Sequence, residues 1–384
     1  MNPKILYISP NLDFSGYANA SRDYIRALDL AGCNIVTRSL RYDGGNFQQS
    51  ARELELQSRD LQNVDIIITQ STPNETQKQN GIFNVNYFAW ETDRVPDEWV
   101  TQLNQMDLVL VPCEENIRAS RRSGVIVPIE KVPHTFDVTK YQTKHKPFDI
   151  QGADNYFKLL TICQMSKKKG VDALLKAYFS EFTPDDKTLL ILKVYFGPND
   201  TVEHQQMSLN QVQKIKEIMR LKEYPRVFLI HSVMDDAAIN RLYSTSNCYV
   251  LPSRGEGWSI THFDAMGFGV PPIAINWGGP PEFITPDTGW LTSYNMSPVV
   301  DMPHPHPYMY TAKDNWAEPH IDSLRAAMRQ AHSEWLASKS SGGQDTTWSQ
   351  RTQACIKRTH DFSYDTIGPQ MRDIILHHYK KWKG

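Results

Sequence analysis

Apolar and polar positions alternate along this chain in two successive series. In the first, residues 5–8 form a short apolar run of the kind that makes a buried strand. Residues 20–30 then carry Ala20, Tyr24, Ala27 and Leu28 at helical spacing. Further apolar runs follow at 34–37, 65–69, 85–89, 108–111 and 125–127, with helix-length stretches between several of them. Strands separated by helix-length segments predict βαβ units and a parallel sheet. Residues 141–154 break the pattern: they are mostly polar, with Lys144, Lys146, Pro147 and Gly152, and read as a linker. The second series begins with a strand at 158–162 and a helix at 172–182. It continues with a strand at 188–194, a helix within 209–221, a strand at 227–230, a helix at 237–244 and a strand at 248–251.

Residues 252–279 complete this series with a Ser-Arg-Gly-Glu-Gly turn, a short helix, a Gly-Val-Pro-Pro break, a strand at 273–275 and a Gly-Gly turn. The Pro- and His-rich stretch 298–319 is expected to be an irregular surface loop. A helix is expected at 321–337, a flexible connection at 339–345 and a terminal helix at 366–381. Two α/β series predict two domains with a cleft between them, ligands lying at the carboxyl ends of the strands. The boundaries expected are 1–140, a linker at 141–155, a second domain at 156–362 and a closing helical segment at 363–384.

The length of 384 residues agrees with two domains. The net charge of −2 shows none of the basic excess of a dedicated nucleic-acid binder. Five scattered cysteines without a CxxC pair point to a reducing compartment and no disulfide framework. The first residues lack the long apolar core of a signal peptide, and no run of about 18 apolar residues predicts a membrane span. A cytoplasmic protein is expected, with peripheral attachment to a membrane left open.

Chemistry concentrates between Val250 and Gly279. Glu256 and Asp264 stand eight positions apart across the turn and helix. Carboxylates accept paired hydrogen bonds from vicinal hydroxyls, so acids line sugar sites. Gly255 and Gly257 permit close backbone approach, and the start of the following helix, near Trp258 and Ser259, offers free N–H groups to a phosphate. The bland alternative is a Gly-rich turn joining strand to helix. Lys167, Lys168 and Lys169 precede Gly170; they read as phosphate ligands or as a solvated run at a helix start. His304 and His306 lie in a PHPHP tract that could bind a metal, but neighbouring carboxylate or Cys spacing is missing, and loop decoration is the simpler reading. No Asp-x-Asp motif is present.

This order of motifs resembles the retaining, nucleotide-sugar-dependent glycosyltransferases of family 4, over nearly the whole chain and most strongly from Phe157 to Leu291. The resemblance implies the GT-B fold: two Rossmann-like domains with parallel sheets facing across a cleft, acceptor domain first and donor domain second, and a terminal helix returning to the first. The family's Glu-x7-Glu corresponds here to Glu256 and Asp264. The first acid is implied to sit at the donor sugar and the second at the nucleotide ribose. The family's Gly-Arg-x4-Lys-Gly corresponds to residues 163–170, with Lys169 as the diphosphate lysine. Gln164 stands where the arginine would be, and Lys168, or else Lys167, is the candidate for the missing charge. Gly257, Trp258 and Ser259 are implied near the diphosphate, as is Gly16 in the loop after the first strand. Glu91 and Asp93, after an apolar strand of the first domain, join Glu256 as candidate catalytic residues. His134, with Gln164, is a candidate to line the cleft.

The implied reaction moves a hexose from a UDP- or GDP-linked donor to an acceptor hydroxyl with retention, without metal or other cofactor. The acceptor could be a glycan, a lipid-linked sugar, a protein or a modified nucleobase. A sugar-nucleotide epimerase of the same fold and an inactive nucleotide-sugar-binding protein are the alternatives.

Overall fold

The computed structural model describes residues 2–13, 15–40, 47–197, 201–300, 309–343 and 346–384. In chain order the elements begin β1 (Lys4–Ser9), α1 (Gly16–Leu30), β2 (Asn34–Ser39), α2 (Ala51–Ser58), β3 (Ile66–Gln70), β4 (Phe83–Tyr87), α3 (Asp97–Leu103), β5 (Leu108–Val111), α4 (Glu114–Ser123) and β6 (Ile129–Lys131). They continue with β7 (Phe157–Gln164), α5 (Val171–Glu181), β8 (Thr188–Tyr195), α6 (Val202–Met219), β9 (Arg226–Ile230), α7 (Asp236–Thr245), β10 (Cys248–Val250), α8 (Ile260–Gly267) and β11 (Pro272–Ile275). The last are β12 (Trp290–Thr292), β13 (Tyr294–Pro298), β14 (Asn315–Pro319), α9 (Ile321–Ser340), α10 (Thr347–Thr359) and α11 (Tyr364–Lys383).

The chain divides into two compact units. One comprises residues 1–138 with 360–384, the other residues 139–359. Each holds a six-stranded parallel sheet, ordered β2-β1-β3-β4-β5-β6 in the first and β12-β11-β10-β7-β8-β9 in the second. Strand order reverses beside β1 in one sheet and beside β7 in the other, which places the loops after these strands where α/β folds hold ligands.

In the first unit, β3, β4 and β5 are buried along their whole length, and the buried amides of β4 are satisfied locally, Asn84 donating to the Gln79 carbonyl at 2.9 Å and Asn86 to Thr76 Oγ1 at 2.7 Å. Ser15 caps α1 by accepting from the Ala18 N–H at 3.1 Å. α11 packs on α1, and Gly368 makes that approach possible: a Cβ there would stand 2.4 Å from the Ala27 carbonyl oxygen. In the second unit the core runs from β7, β8 and β10 to α5 and α9, with Leu174, Leu190, Tyr249 and Met328 at its centre.

Two expectations from the sequence need correction. The run 125–127 is not a strand. Gly124 ends α4 in a left-handed conformation, Ile126 is 81% exposed, and the sixth strand is β6, which pairs with β5 through Val109 and Ile129. The stretch 298–319 is not wholly irregular, because β13 and β14 form an antiparallel pair that buries Trp316 and Ala317. The alternation that hides these two residues among prolines is short. A 3₁₀ turn (Val138–Gln142) leads into residues 141–155, which group with the second compact unit. His304 and His306 lie outside the described residues.

Candidate functional site

Strands β11, β10 and β7 are neighbours, so the loops at their carboxyl ends meet. The loop after β7 makes a 3₁₀ turn, Lys167–Lys169, and Gly170 ends it at φ +66°. A Cβ at Gly170 would lie 2.1 Å from the Pro252 carbonyl oxygen, so the Lys turn presses directly on the loop after β10. The Arg254 N–H donates to the Lys168 carbonyl at 2.7 Å, and the Ser253 hydroxyl donates to the same carbonyl at 3.2 Å. The Gly-Gly turn after β11 closes the other side. Gly278 has φ +72°, its Cβ would stand 2.4 Å from the Glu256 carbonyl oxygen, and the Gly279 N–H donates to that oxygen at 2.9 Å. Backbone packed this closely fixes where the Glu256 side chain starts.

Lys169 and Glu256 form the central contact, with Nζ to Oε1 at 2.6 Å. Burial pushes the Glu256 carboxyl up, but the Lys169 charge and hydrogen bond, then Lys168 and the Ser253 hydroxyl, outweigh it and hold the group below the ordinary carboxylate range. Glu256 is therefore an anion at neutral pH, poised to accept hydrogen bonds.

Behind this pair sits Arg254, only 2% exposed. Its Nε and one terminal nitrogen donate to the two Glu318 oxygens at 2.6 and 2.7 Å, and the guanidinium also meets both Asp172 oxygens at 3.1 and 3.2 Å. It donates in addition to the Lys167 carbonyl. Burial pushes the Arg254 pKa down, and the two carboxylates more than compensate. One buried guanidinium thus ties the Lys turn, the acidic loop, α5 and β14 together. The sequence showed this arginine inside the Ser-Arg-Gly-Glu-Gly turn, but neither partner carboxylate is local to it.

At the start of α8, Ser259 holds φ +83°, rare for a residue with a side chain. Its hydroxyl lies 2.6 Å from His262 Nδ1, and His262 Nε2 lies 3.2 Å from the Ile273 carbonyl oxygen. That carbonyl can only accept, so Nε2 carries the proton and Nδ1 accepts from Ser259. Burial drops the His262 pKa to about 4, keeping the ring neutral. The Ser259 hydroxyl proton is thus directed inward, and an anion at this helix start would meet backbone N–H groups. Trp258 is buried against Phe283, with ring centroids 5.0 Å apart, so its indole belongs to the support of the loop.

Asp264, on α8, accepts at Oδ1 from Lys140 Nζ at 2.7 Å and from the Tyr141 hydroxyl at 2.6 Å. Neither donor was visible as a partner in the sequence, since both lie more than a hundred residues earlier. Gln164 ends β7 with an exposed side chain that donates to the Phe196 carbonyl at 3.0 Å.

The first-unit candidates lie in a different environment. Gly16 opens α1, with nothing within 4 Å of a would-be Cβ. The 90–94 loop is held by Trp90, whose indole N–H donates to Thr92 Oγ1 at 2.7 Å, while that hydroxyl donates to the Arg94 carbonyl at 2.7 Å. Asp93 faces Arg122, which donates to its carbonyl at 2.6 Å and stands 3.7 Å from its carboxylate; Glu91 is partly exposed. His134 is buried edge-on to Tyr24 at 5.7 Å, and burial drops its pKa to about 3. No group of three or more His, Cys, Asp or Glu side chains able to hold a metal exists among the described residues.

Residues 143–298 match the family described as Glycosyl transferases group 1, and this match supports glycosyl transfer. It spans the Lys turn, the acidic loop and α8. Among solved structures, sucrose-phosphate synthase from Thermosynechococcus elongatus is similar at 15% identity and TM-score 0.65, over 99% of this chain and 100% of that one. HepE of Anabaena, solved in complex with UDP and glucose, is similar at 15% identity and TM-score 0.62, over 98% and 100%. A glycosyltransferase from Rickettsia africae is similar at 16% identity and TM-score 0.59, over 99% and 98%. These likenesses show the fold, two Rossmann-like domains of the GT-B class. No curated protein matches the sequence.

Proposed function

We propose that the chain is a retaining glycosyltransferase that moves a hexose from a nucleoside-diphosphate sugar to an acceptor hydroxyl without a metal. The observation that carries this reading is the 2.6 Å Lys169–Glu256 pair, inside the region that matches the group 1 glycosyltransferases. In the proposed reaction, Glu256 accepts hydrogen bonds from hydroxyls of the donor hexose. Lys169, with Lys168, turns to the diphosphate and neutralises charge as the bond from C1 to the β-phosphate oxygen breaks. The N–H groups at the start of α8 add to that stabilisation. The acceptor oxygen bonds to C1 from the face the diphosphate leaves, its proton passes to a phosphate oxygen, and the nucleoside diphosphate departs. Glu91 and Asp93 are the first-unit candidates for contact with the acceptor. HepE was solved with UDP and glucose, which makes a UDP-hexose the first donor to try.

The test begins with melting-temperature shifts on adding UDP- and GDP-hexoses, since a ligand that binds the folded state raises it. Transfer from the stabilising donor to a panel of acceptors is then measured for the wild type and for Glu256→Ala. Loss of transfer in a folded variant is expected; wild-type transfer by that variant would overturn the assignment. Turnover of the sugar nucleotide without acceptor would instead indicate an epimerase, and binding without turnover an inactive binder.

A further inference from the structure

The Asp264 carboxylate is already half occupied. Its Oδ1 receives the Lys140 ammonium and the Tyr141 hydroxyl, at 2.7 and 2.6 Å. Two donors fill the two lone-pair directions of one carboxylate oxygen and leave those of Oδ2. Tyr141 is itself tightly located. Its ring lies over Gly267, where a Cβ would stand 2.5 Å from three ring atoms, and it meets Phe268 edge-on at 5.2 Å. The Lys140 ammonium lies 4.8 Å from the same ring. Asp264 and Gly267 are three residues apart on α8 and so share a face, the arrangement that lets one tyrosine pack on the glycine while donating to the aspartate.

We propose that Tyr141 and Lys140 are positioning residues that turn the Asp264 carboxylate so that Oδ2 receives the ribose hydroxyls of a nucleotide, making the site selective for ribose over 2′-deoxyribose. This rests on the glycosyltransferase reading and on the ribose contact that the family resemblance implies for Asp264. An aspartate reaches less far than a glutamate, so its usefulness to a diol depends on where its free oxygen points. The tyrosine hydroxyl fixes that direction from one side and the lysine from the other. Removing the phenol oxygen lets the carboxylate rotate away without disturbing the ring packed on Gly267.

The experiment is calorimetric titration with UDP and GDP and with their 2′-deoxy counterparts, on the wild type, Tyr141→Phe and Lys140→Met, with melting temperatures alongside. The wild type is expected to bind the ribonucleotide about tenfold more tightly than the deoxynucleotide, the worth of one hydrogen bond to a charged group. Tyr141→Phe should bring that ratio to about twofold or less by weakening only the ribonucleotide, with deoxynucleotide affinity unchanged. Lys140→Met should lower the ratio in the same direction, and it carries the test if Tyr141→Phe fails to fold. Equal loss of affinity for both nucleotides, an unchanged ratio, or a wild type that binds both alike would overturn the proposal while leaving the glycosyltransferase reading intact. A wild type that binds no nucleotide would overturn both.

Discussion

Each unit builds a six-stranded parallel sheet, with strand orders that differ, and the loops at the carboxyl ends carry different chemistry. In the second unit these loops are charged and tightly packed: Arg254 between Asp172 and Glu318, Lys169 on Glu256, Lys140 on Asp264. In the first, buried Arg22 directs its charge to backbone, donating to the Asn11 and Asp13 carbonyls of the loop after β1 at 3.2 and 2.8 Å, and neutral hydroxyls supply other buried contacts. The Tyr7 hydroxyl donates to Gln70 at 2.6 Å, and the Tyr24 and Tyr87 hydroxyls bond each other and the Val132 carbonyl beside an uncharged His134. A shared fold thus says little about shared chemistry, which resides in the residues grafted on the loops. The second unit brings cations and carboxylates of its loops into direct pairs, whereas the first holds the loop after β1 through backbone carbonyls.

The largest expected effect is on activity. Lys169→Gln should lower transfer by about 100- to 1000-fold, the usual consequence of removing one group that stabilises a developing charge. Asp93→Asn, in the first unit, should cost clearly less. Equal losses in a steady-state assay would break the contrast between the paired loops of the second unit and the loops of the first. Next comes stability. Arg254→Met removes the guanidinium from two partly exposed carboxylates, Asp172 and Glu318, and should destabilise by about 1.5–3 kcal/mol in urea titrations. Tyr87→Phe, which removes one neutral hydroxyl from the first unit, should cost about 1 kcal/mol.

A third pair of substitutions compares two glycines. Gly170→Ala forces a Cβ against the Pro252 carbonyl at positive φ and should cost about 2 kcal/mol or more. Gly16→Ala meets open space at the start of a helix and should stay within about 0.5 kcal/mol. The mildest prediction concerns pH. His262 and His134 have folded pKa values near 4 and 3 because burial disfavours the charged ring, below the ordinary value of 6.5. Between those values the unfolded chain binds protons that the folded chain does not. Stability therefore rises with pH across this window and is lost as pH falls from 6.5 toward 4. His262→Gln should flatten the slope of the urea midpoint against pH in the second unit, and His134→Asn in the first. An unchanged slope in either would show that the ring titrates normally in the fold.

The same asymmetry governed how far the sequence could be read. The α/β repetition was legible in both units, because parallel strands buried on both faces leave continuous apolar runs such as 108–111 and 189–192. The residues that the structure gathers in the second unit were legible because glycines, acids and lysines cluster locally at 167–170 and 253–257. What stayed hidden depends on distant partners. Arg254 finds Glu318 across 64 residues, and Tyr141 finds Asp264 across 123. The misplaced strand at 125–127 has the complementary cause. Three β-branched residues look like a strand, yet the turn set by Gly124 and the Ile126 N–H donated to Asn104 Oδ1 at 2.8 Å leave them outside the sheet. His134 shows the limit in another form, since a histidine next to a proline carries no mark of the two tyrosines that enclose it.

All five cysteines are buried, and they are divided between the units: Cys33 and Cys113 in one, Cys163, Cys248 and Cys355 in the other. Burial also pushes the Cys33, Cys163, Cys248 and Cys355 thiols up, so little thiolate exists to react in the folded state. The molecule therefore carries its own clock for local opening. The rate at which an alkylating reagent reaches each thiol reports how often the surrounding structure parts. Mass spectrometry of the labelled peptides would time the two units separately in a single unmodified sample, and a ligand that occupies the site beside Cys163 should slow that clock first.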